Sequence, residues 1–318
     1  MENSKNKNIN HAVRYDHFGH VDVLYITELP KQNPKAGEVL VRIKTAGINP
    51  GEASIREGFL KKQFPSTFPS GQGTDFAGII EETGAGVTKF KTGDEVIGFS
   101  NNRNSQAEYV VVSADQLILR PANVSWEEAG GLFVVGSTAY AAVNSVSLKA
   151  GETVIISGAA GGVGSLAVQL AKKTGAKVIG IASQNNHQWL KDHGVTPVTY
   201  EGTIEDNLKS ALNGKKADAF IDLSGKGYVA LAIKMGIPAD RINTIIDFEA
   251  VGKYKVKSEG SSAAGNAVVL NEIAGMINDG SLDMPVAKTY PLNEVKEAYI
   301  ELAKHHTHGK IVLIASTN

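Results

Sequence analysis

The sequence predicts an α/β fold: a Rossmann-type doubly wound parallel sheet, preceded in the chain by a mainly β region. Three observations lead there. From His11 to about Pro121 the patterns are short strands and turns, and from about Ser125 strand-like and helix-like segments alternate. Between Ser157 and Gly180 the stretch SGAAGGVGSLAVQLAKKTGAKVIG reads as the end of a strand, a glycine turn, a helix and the start of another strand. Strands alternating with helices require crossover connections, which give a parallel sheet covered on both faces.

Taken in order, Val39, Val41 and Ile43 alternate with polar residues, and Asp94–Phe99 and Glu108–Val112 are further strand candidates. The alternating region follows through Val154–Ser157, Val163–Thr174, Val178–Ala182, Ile204–Leu212, Ala219–Leu223, Tyr228–Met235 and Ile242–Ile246. Ser137 and Thr138 precede a helical stretch. The last segments, Ala263–Ile277, Val286–Tyr290, Glu294–Ala303 and Lys310–Ile314, predict helix, strand, helix and strand. In the glycine junction, Val163, Leu166, Ala167, Leu170 and Ala171 recur at helical spacing, and Gly175 supplies a stop. Ala159-Ala160-Gly161-Gly162-Val163-Gly164 fits G-x-G-x-x-G with Ala159 in the first glycine's place. Glycines there let backbone approach an anion at the helix N-terminus, where unpaired N–H groups and the helix dipole favour negative charge. The expected occupant is a dinucleotide pyrophosphate; a tight turn serving only helix–strand packing is the alternative.

Composition narrows the classes. The chain has 318 residues, 42% of them hydrophobic and 20% charged, with a formal net charge of −1. That length suggests about two domains. The balance of charge gives no electrostatic footprint for nucleic acid or an anionic membrane. No apolar run reaches transmembrane length, and MENSKNKNIN (residues 1–10) reads as a polar, flexible tail without a secretory signal's apolar centre. The expected location is cytoplasmic. There is no cysteine, which excludes disulfides, thiol catalysis and thiolate zinc sites.

The stretches GEVLVRIKTAGINPGEASIREG (Gly37–Gly58), GTDFAGIIEETGAGVTKFKTGDEVIGF (Gly73–Phe99), GSTAYAAV (Gly136–Val143), the glycine turn and HGKIVLI (His308–Ile314) come in an order and spacing that resemble the medium-chain dehydrogenase/reductase superfamily, in its zinc-independent quinone oxidoreductase (zeta-crystallin-like) branch. The resemblance implies a GroES-like catalytic domain over 11–124, a Rossmann NAD(P)-binding domain over 125–262 and a return over 263–318 that completes the first domain. It also implies an active site in the cleft between the domains, and a homodimer. The zinc-dependent branch needs a cysteine where Asn49 stands and Gly-His-Glu where Gly73-Thr74-Asp75 stands. Its four-cysteine lobe is missing too. The expectation is therefore no zinc.

For the nicotinamide, NAD-preferring Rossmann folds place a carboxylate at the end of the second strand to accept from the ribose. Here that strand ends in Ser183, which can donate to a 2′-phosphate without repelling it. In NADPH-preferring relatives a tyrosine follows the third strand, and Tyr200 matches it. The basic residue such relatives add is replaced by Asn185 or Asn186, with His187 and Lys191 nearby. The expected cofactor is NADPH rather than NADH. The resemblance adds Leu223 and Ser224 on the adenosine or ribose side, and Asn243 and Thr244 at the strand end near the carboxamide.

Candidate catalytic residues are Asn49, Glu52, Arg56 and Thr138. Asn49 is either an amide donor to a substrate carbonyl or a turn residue before Pro50. Glu52 and Arg56 stand four apart, at the spacing of a surface ion pair on one helical turn; a catalytic acid is the other reading of Glu52. Thr138 is either a helix N-cap or, as the resemblance implies, a hydroxyl near the nicotinamide. Phe59, Phe64 and Phe68 suggest an apolar, planar electron acceptor or packing beneath a loop. His305, His306 and His308 read as surface residues at a helix end, not metal ligands. The leading expectation is hydride transfer from NADPH to a quinone or α,β-unsaturated carbonyl. A reductase of simple aldehydes or ketones, and a dinucleotide-binding sensor or structural protein with little turnover, are the alternatives.

Overall fold

The computed structural model describes residues 8–304 and 306–315. The chain divides into two compact units, one of Met1–Val134, Asn266–Asp279 and Val286–Asn318, the other of Val135–Gly265 and Gly280–Pro285.

The first unit begins with β1 (Ile9–Tyr15), which pairs antiparallel with β2 (Tyr25–Pro30) and sets Ile9 opposite Pro30. Ile9 and Asn10 are therefore strand, a correction to the tail expected over 1–10. Asn10 is held there because its amide donates to Tyr109 O and its oxygen accepts from Tyr109 N. Residues 1–7 of that tail lie outside the described residues. After β2 come β3 (Glu38–Gly47), α1 (Pro50–Arg56), β4 (Ser70–Gly71), β5 (Asp75–Thr83), β6 (Glu95–Phe99), β7 (Tyr109–Ser113) and β8 (Leu117–Leu119). The period-2 residues Val39, Val41 and Ile43 are buried, packed with Phe76, Ile80, Val96 and Val110. Burying one such side chain stabilises by about 1.5–3 kcal/mol, so this face fixes the strand register.

Helix α2 (Trp126–Ser145) starts from a capping box in which Ser125 Oγ accepts from Glu128 N and Glu128 accepts from Ser125 N and Oγ. Ser137 and Thr138 consequently lie inside this helix, not before it. The sequence misleads because Gly130, Gly131 and Gly136 look like breakers. At Gly130 the reason is close approach: a Cβ there would fall on the side chain of Thr45.

The second unit is a parallel sheet of β9 (Thr153–Ser157), β10 (Lys177–Ile181), β11 (Thr196–Val198), β12 (Ala219–Asp222) and β13 (Ile242–Thr244), in the order β11-β10-β9-β12-β13. Its connections carry α3 (Gly162–Lys173), α4 (His187–Asp192), α5 (Ile204–Leu212) and α6 (Tyr228–Lys234), and α7 (Phe248–Tyr254) follows β13. Every residue of the central strand β9 is buried, as a parallel strand covered on both faces requires. Helix α3 stops where expected: Gly175 takes φ 83° and donates its N–H to Lys172 O.

The single helix expected over Ala263–Ile277 is two, α8 (Ser261–Ala264) and α9 (Ala267–Asn278). Asn266 interrupts because its side chain accepts from Val268 N and Val269 N, making it the N-cap of α9. Then β14 (Val286–Pro291), α10 (Val295–Leu302) and β15 (Lys310–Ile314) return the chain to the first unit. There β15 pairs with β3 and completes a sheet ordered β14-β15-β3-β5-β6-β8. Among the described residues no helix is long and apolar enough to cross a membrane.

Candidate active site

In the second unit, β9 runs into the glycine turn. Gly158, at φ 61°, makes the reversal, and Gly161 N donates back to Gly158 O at 3.0 Å. The left-handed residue thus sits one place before the motif's expected first position. Ala159, assigned that position from the sequence, is buried beside Gly180, and Ala160 is buried too. The glycines divide their work. A Cβ on Gly164 would fall on the carbonyl oxygen of Gly158, so this glycine lets α3 close on the turn. Gly161 has φ −76°, open to any residue, and a Cβ there would meet only Gly158 O, at an ordinary 3.4 Å. Nothing within the protein requires glycine at Gly161. The N–H groups of Gly162, Val163 and Gly164 precede the first intrahelical bond, Ser165 N to Gly161 O, so they have no partner within the helix. Open space before a helix N-terminus with free donors fits a dinucleotide pyrophosphate.

The neighbouring strand ends are tied by Asp222, which sequence reasoning missed. Its Oδ1 accepts from Ser157 Oγ at 2.6 Å, Ser224 N and Gly225 N; its Oδ2 accepts from Thr244 Oγ1. Burial raises its pKa, against the pull of these donors. Ser157 Oγ accepts from Leu223 N and from Ser224 Oγ. The carboxylate is consumed in ordering the loops, not offered to a ribose. Asn243 clamps Glu259: the Asn243 amide donates to Glu259 O and its oxygen accepts from Glu259 N. The N–H groups of Thr244 and Ile245 already donate to Lys257 O and Asp222 O. Ser183 precedes a 3-10 turn, and its hydroxyl oxygen accepts from the Asn186 amide at 2.9 Å. Tyr200 is 37% exposed.

In the first unit, α1 opens with Asn49 as N-cap, Pro50 at its first position and Glu52 closing a capping box. Glu52 is buried. Its Oε1 accepts from Asn49 Nδ2 and Thr74 N, its Oε2 from Asn49 N, Gln106 Nε2 and Tyr299 OH, the last at 2.7 Å. Asn49 Nδ2 also donates to Asp75 Oδ2 at 3.0 Å, and Lys310 Nζ donates to Ile48 O and Asn49 Oδ1, both at 2.8 Å. Asp75 accepts from Val134 N and lies 3.4 Å from Lys310 Nζ. Burial and the charge of Asp75 raise the pKa of Glu52, while Tyr299, Asn49 and Lys310 pull it down. Burial raises Asp75 against the opposing pull of Lys310. Tyr299 is raised well above its ordinary value by burial and Glu52.

This cluster corrects two expectations. Both amide hydrogens of Asn49 are engaged by Glu52 and Asp75, so none is left for a substrate carbonyl. Glu52 and Arg56 do not form an exposed pair, because the face of α1 that carries them is buried. Arg56 instead donates to Gly19 O, pairs with Glu57 at 3.4 Å and lies over the Tyr299 ring. Gln72, whose amide donates to Tyr299 OH at 2.9 Å, was missed along with Gln106, Tyr299 and Lys310; no local signal joins them to Asn49. The donor set also does not fit tetrahedral zinc. It holds carboxylates and amides without imidazole or thiolate, and a lysine ammonium already stands on Asn49 and beside Asp75. Among the described residues no group of three or more His, Cys, Asp or Glu is arranged to hold a metal. His306 is exposed; His305 lies outside the described residues. Phe59 is 74% exposed and Phe64 is also exposed, while Phe68 packs edge-on against Tyr15 and Phe18. Thr138 is buried within α2.

Two family descriptions match the chain: alcohol dehydrogenase GroES-like domain over residues 35–122 and zinc-binding dehydrogenase over residues 162–244. A chloroplast envelope quinone oxidoreductase homolog of Arabidopsis thaliana is 28% identical over 321 residues, covering 95% of this chain and 98% of that protein. The quinone oxidoreductase structure from Coxiella burnetii is 29% identical with a TM-score of 0.87, covering 97% of this chain and 100% of that one. The Escherichia coli quinone oxidoreductase structure complexed with NADPH is 26% identical with a TM-score of 0.82, covering 96% and 99%.

Proposed function

Because the chain belongs to the medium-chain dehydrogenase/reductase superfamily, in its quinone oxidoreductase branch, we propose that it is a zinc-independent oxidoreductase using NADPH to reduce quinones or α,β-unsaturated carbonyls. The observation that carries this reading is Gly161, whose missing side chain serves nothing inside the protein and leaves room for a pyrophosphate at the N-terminus of α3. The likeness to a quinone oxidoreductase complexed with NADPH supports it.

Bound reduced nicotinamide supplies a hydride. The chain's own residues bind and orient. The N–H groups of Gly162, Val163 and Gly164 receive the pyrophosphate. Asn186 donates to the Ser183 oxygen, which turns the Ser183 hydrogen outward for a 2′-phosphate. Leu223 and Ser224, ordered by Ser157 and Asp222, line the ribose side, and Thr138 contributes its hydroxyl near the nicotinamide. Asn49, Glu52 and Arg56 act as positioning residues that hold the turn after β3. With the Asn49 hydrogens engaged, the substrate oxygen that gains charge takes its proton from solvent. The working unit is a homodimer, which light scattering tests.

The test is consumption of NADPH and NADH in parallel, with quinones, enones and saturated aldehydes as acceptors. Turnover with NADPH on quinones or enones alone is expected. Equal consumption with saturated aldehydes, or binding without turnover, would replace the reading by a simple carbonyl reductase or a sensor. Ser183→Asp should lower the preference for NADPH by about tenfold or more, since a carboxylate there repels a phosphate; unchanged discrimination would remove Ser183 from the site.

A further inference from the structure

The cation that the sequence does not supply after β10 is supplied by a different loop. In the parallel register Ile181 stands beside Val198, so Ser183 and Tyr200, each two residues further on, leave the sheet at the same carboxyl edge. Lys226 leaves it from β12. Two strands, β10 and β9, separate β11 from β12, a span of roughly 14 Å at about 4.8 Å per strand. Yet Lys226 Nζ lies 5.1 Å from the centre of the Tyr200 ring. The two side chains therefore meet across the edge of the sheet.

The backbone is shaped for this. Gly225, Lys226 and Gly227 take φ of 72°, 62° and 78° in succession. A lysine held in the left-handed region between two glycines is an uncommon arrangement for a residue with a Cβ. Lys226 is exposed and forms no ion pair among the described residues. Asp222, the acidic side chain of this edge, is buried and occupied by Ser157, Thr244 and two backbone N–H groups. The exposed carboxylate nearest in sequence to Tyr200 is Glu201, whose N–H is drawn to Thr199 Oγ1. An exposed ammonium, an exposed phenol ring, and the Ser183 hydroxyl with its Asn186 partner thus gather at one edge of the sheet, where an adenosine ribose leads away from the glycine turn.

We infer that Lys226 supplies the positive charge that recognises the 2′-phosphate of NADPH, with the Tyr200 ring against its Nζ and Ser183 donating from the β10 side. This rests on the dinucleotide reading of the glycine turn. It replaces the usual source of the charge, the loop after the second strand, with the loop after the fourth strand in the chain order of this sheet, β12. Lys226 is then a specificity-determining residue, and its removal acts on one cofactor only.

The experiment measures dissociation constants of NADPH and NADH, and of 2′,5′-ADP against 5′-ADP, for the full chain and for Lys226→Gln, Lys226→Arg and Gly161→Val. Lys226→Gln should weaken NADPH and 2′,5′-ADP by about tenfold to a hundredfold, the range of a lost charge-assisted hydrogen bond. NADH and 5′-ADP should stay within twofold, and Lys226→Arg should keep most of the preference. The NADPH affinity of the unaltered protein should also fall with salt more steeply than that of Lys226→Gln. If Lys226→Gln leaves NADPH discrimination intact while Gly161→Val weakens both cofactors, the dinucleotide site stands and the role of Lys226 is overturned. If the unaltered protein binds neither cofactor, the reading of the turn fails, and the inference with it.

Discussion

The glycine turn of the second unit and the buried polar cluster of the first are built on opposite plans. At the turn, three N–H groups have no helical partner and the space before Gly161 is open. Around Glu52, each carboxylate oxygen and both amide hydrogens of Asn49 are engaged by protein groups. One region keeps hydrogen-bonding capacity for something outside the chain; the other spends it within. A polar residue in a family motif can therefore belong to either plan, and its residue type does not say which. Asn49 and Ser183 both looked like ligand contacts, but only Ser183 retains a hydrogen to give.

The sharpest way to break this contrast is Asp75→Ala. Removing a fully buried carboxylate leaves the Lys310 ammonium without its charged partner, and the expected loss of stability is about 3–5 kcal/mol. Chemical denaturation reads it; a loss below about 1 kcal/mol would mean that the cluster is loosely held. Next comes Gly161→Val, expected to leave the melting temperature nearly unchanged while weakening NADPH and NADH by about a hundredfold, on the order of 2.7 kcal/mol. Normal cofactor affinity in that variant would reduce the turn to a packing device. The smallest effect is one of pH. The folded pKa of Glu52 is raised above its ordinary 4.5, so the folded state keeps a proton that the unfolded chain releases. Any stability from that proton is present in acid and is lost as pH rises from about 4.5 through the raised value. Glu52→Gln does not titrate, so the unaltered protein should lose ground to it as pH rises over that window, in parallel unfolding curves. A difference that stays flat with pH would show that Glu52 is ionised in the fold.

What the sequence revealed follows the range of the interactions. The strand–turn–helix–strand order was legible because it is written in neighbours: the apolar run before Ser157, the helical spacing from Val163 to Ala171 and the stop at Gly175. The first-unit cluster was not, because Asn49 meets Lys310 across 261 positions and Glu52 meets Tyr299 across 247. The expected Glu52–Arg56 pair failed for a related reason. The i, i+4 rule describes an exposed helix face, and only the tertiary fold reveals that this face of α1 is buried. Lys226 went unread because its partner Tyr200 stands three strands away in the sheet.

Lys310 has one more consequence. A metal ion held by side chains exchanges with a free pool, so its occupancy depends on supply and can be stripped by a chelator. The amine standing on Asn49 and beside Asp75 is bonded to the chain and draws on no such pool. It is brought there by the fold, through the pairing of β15 with β3. The cation beside Asp75 is thereby encoded in the chain itself.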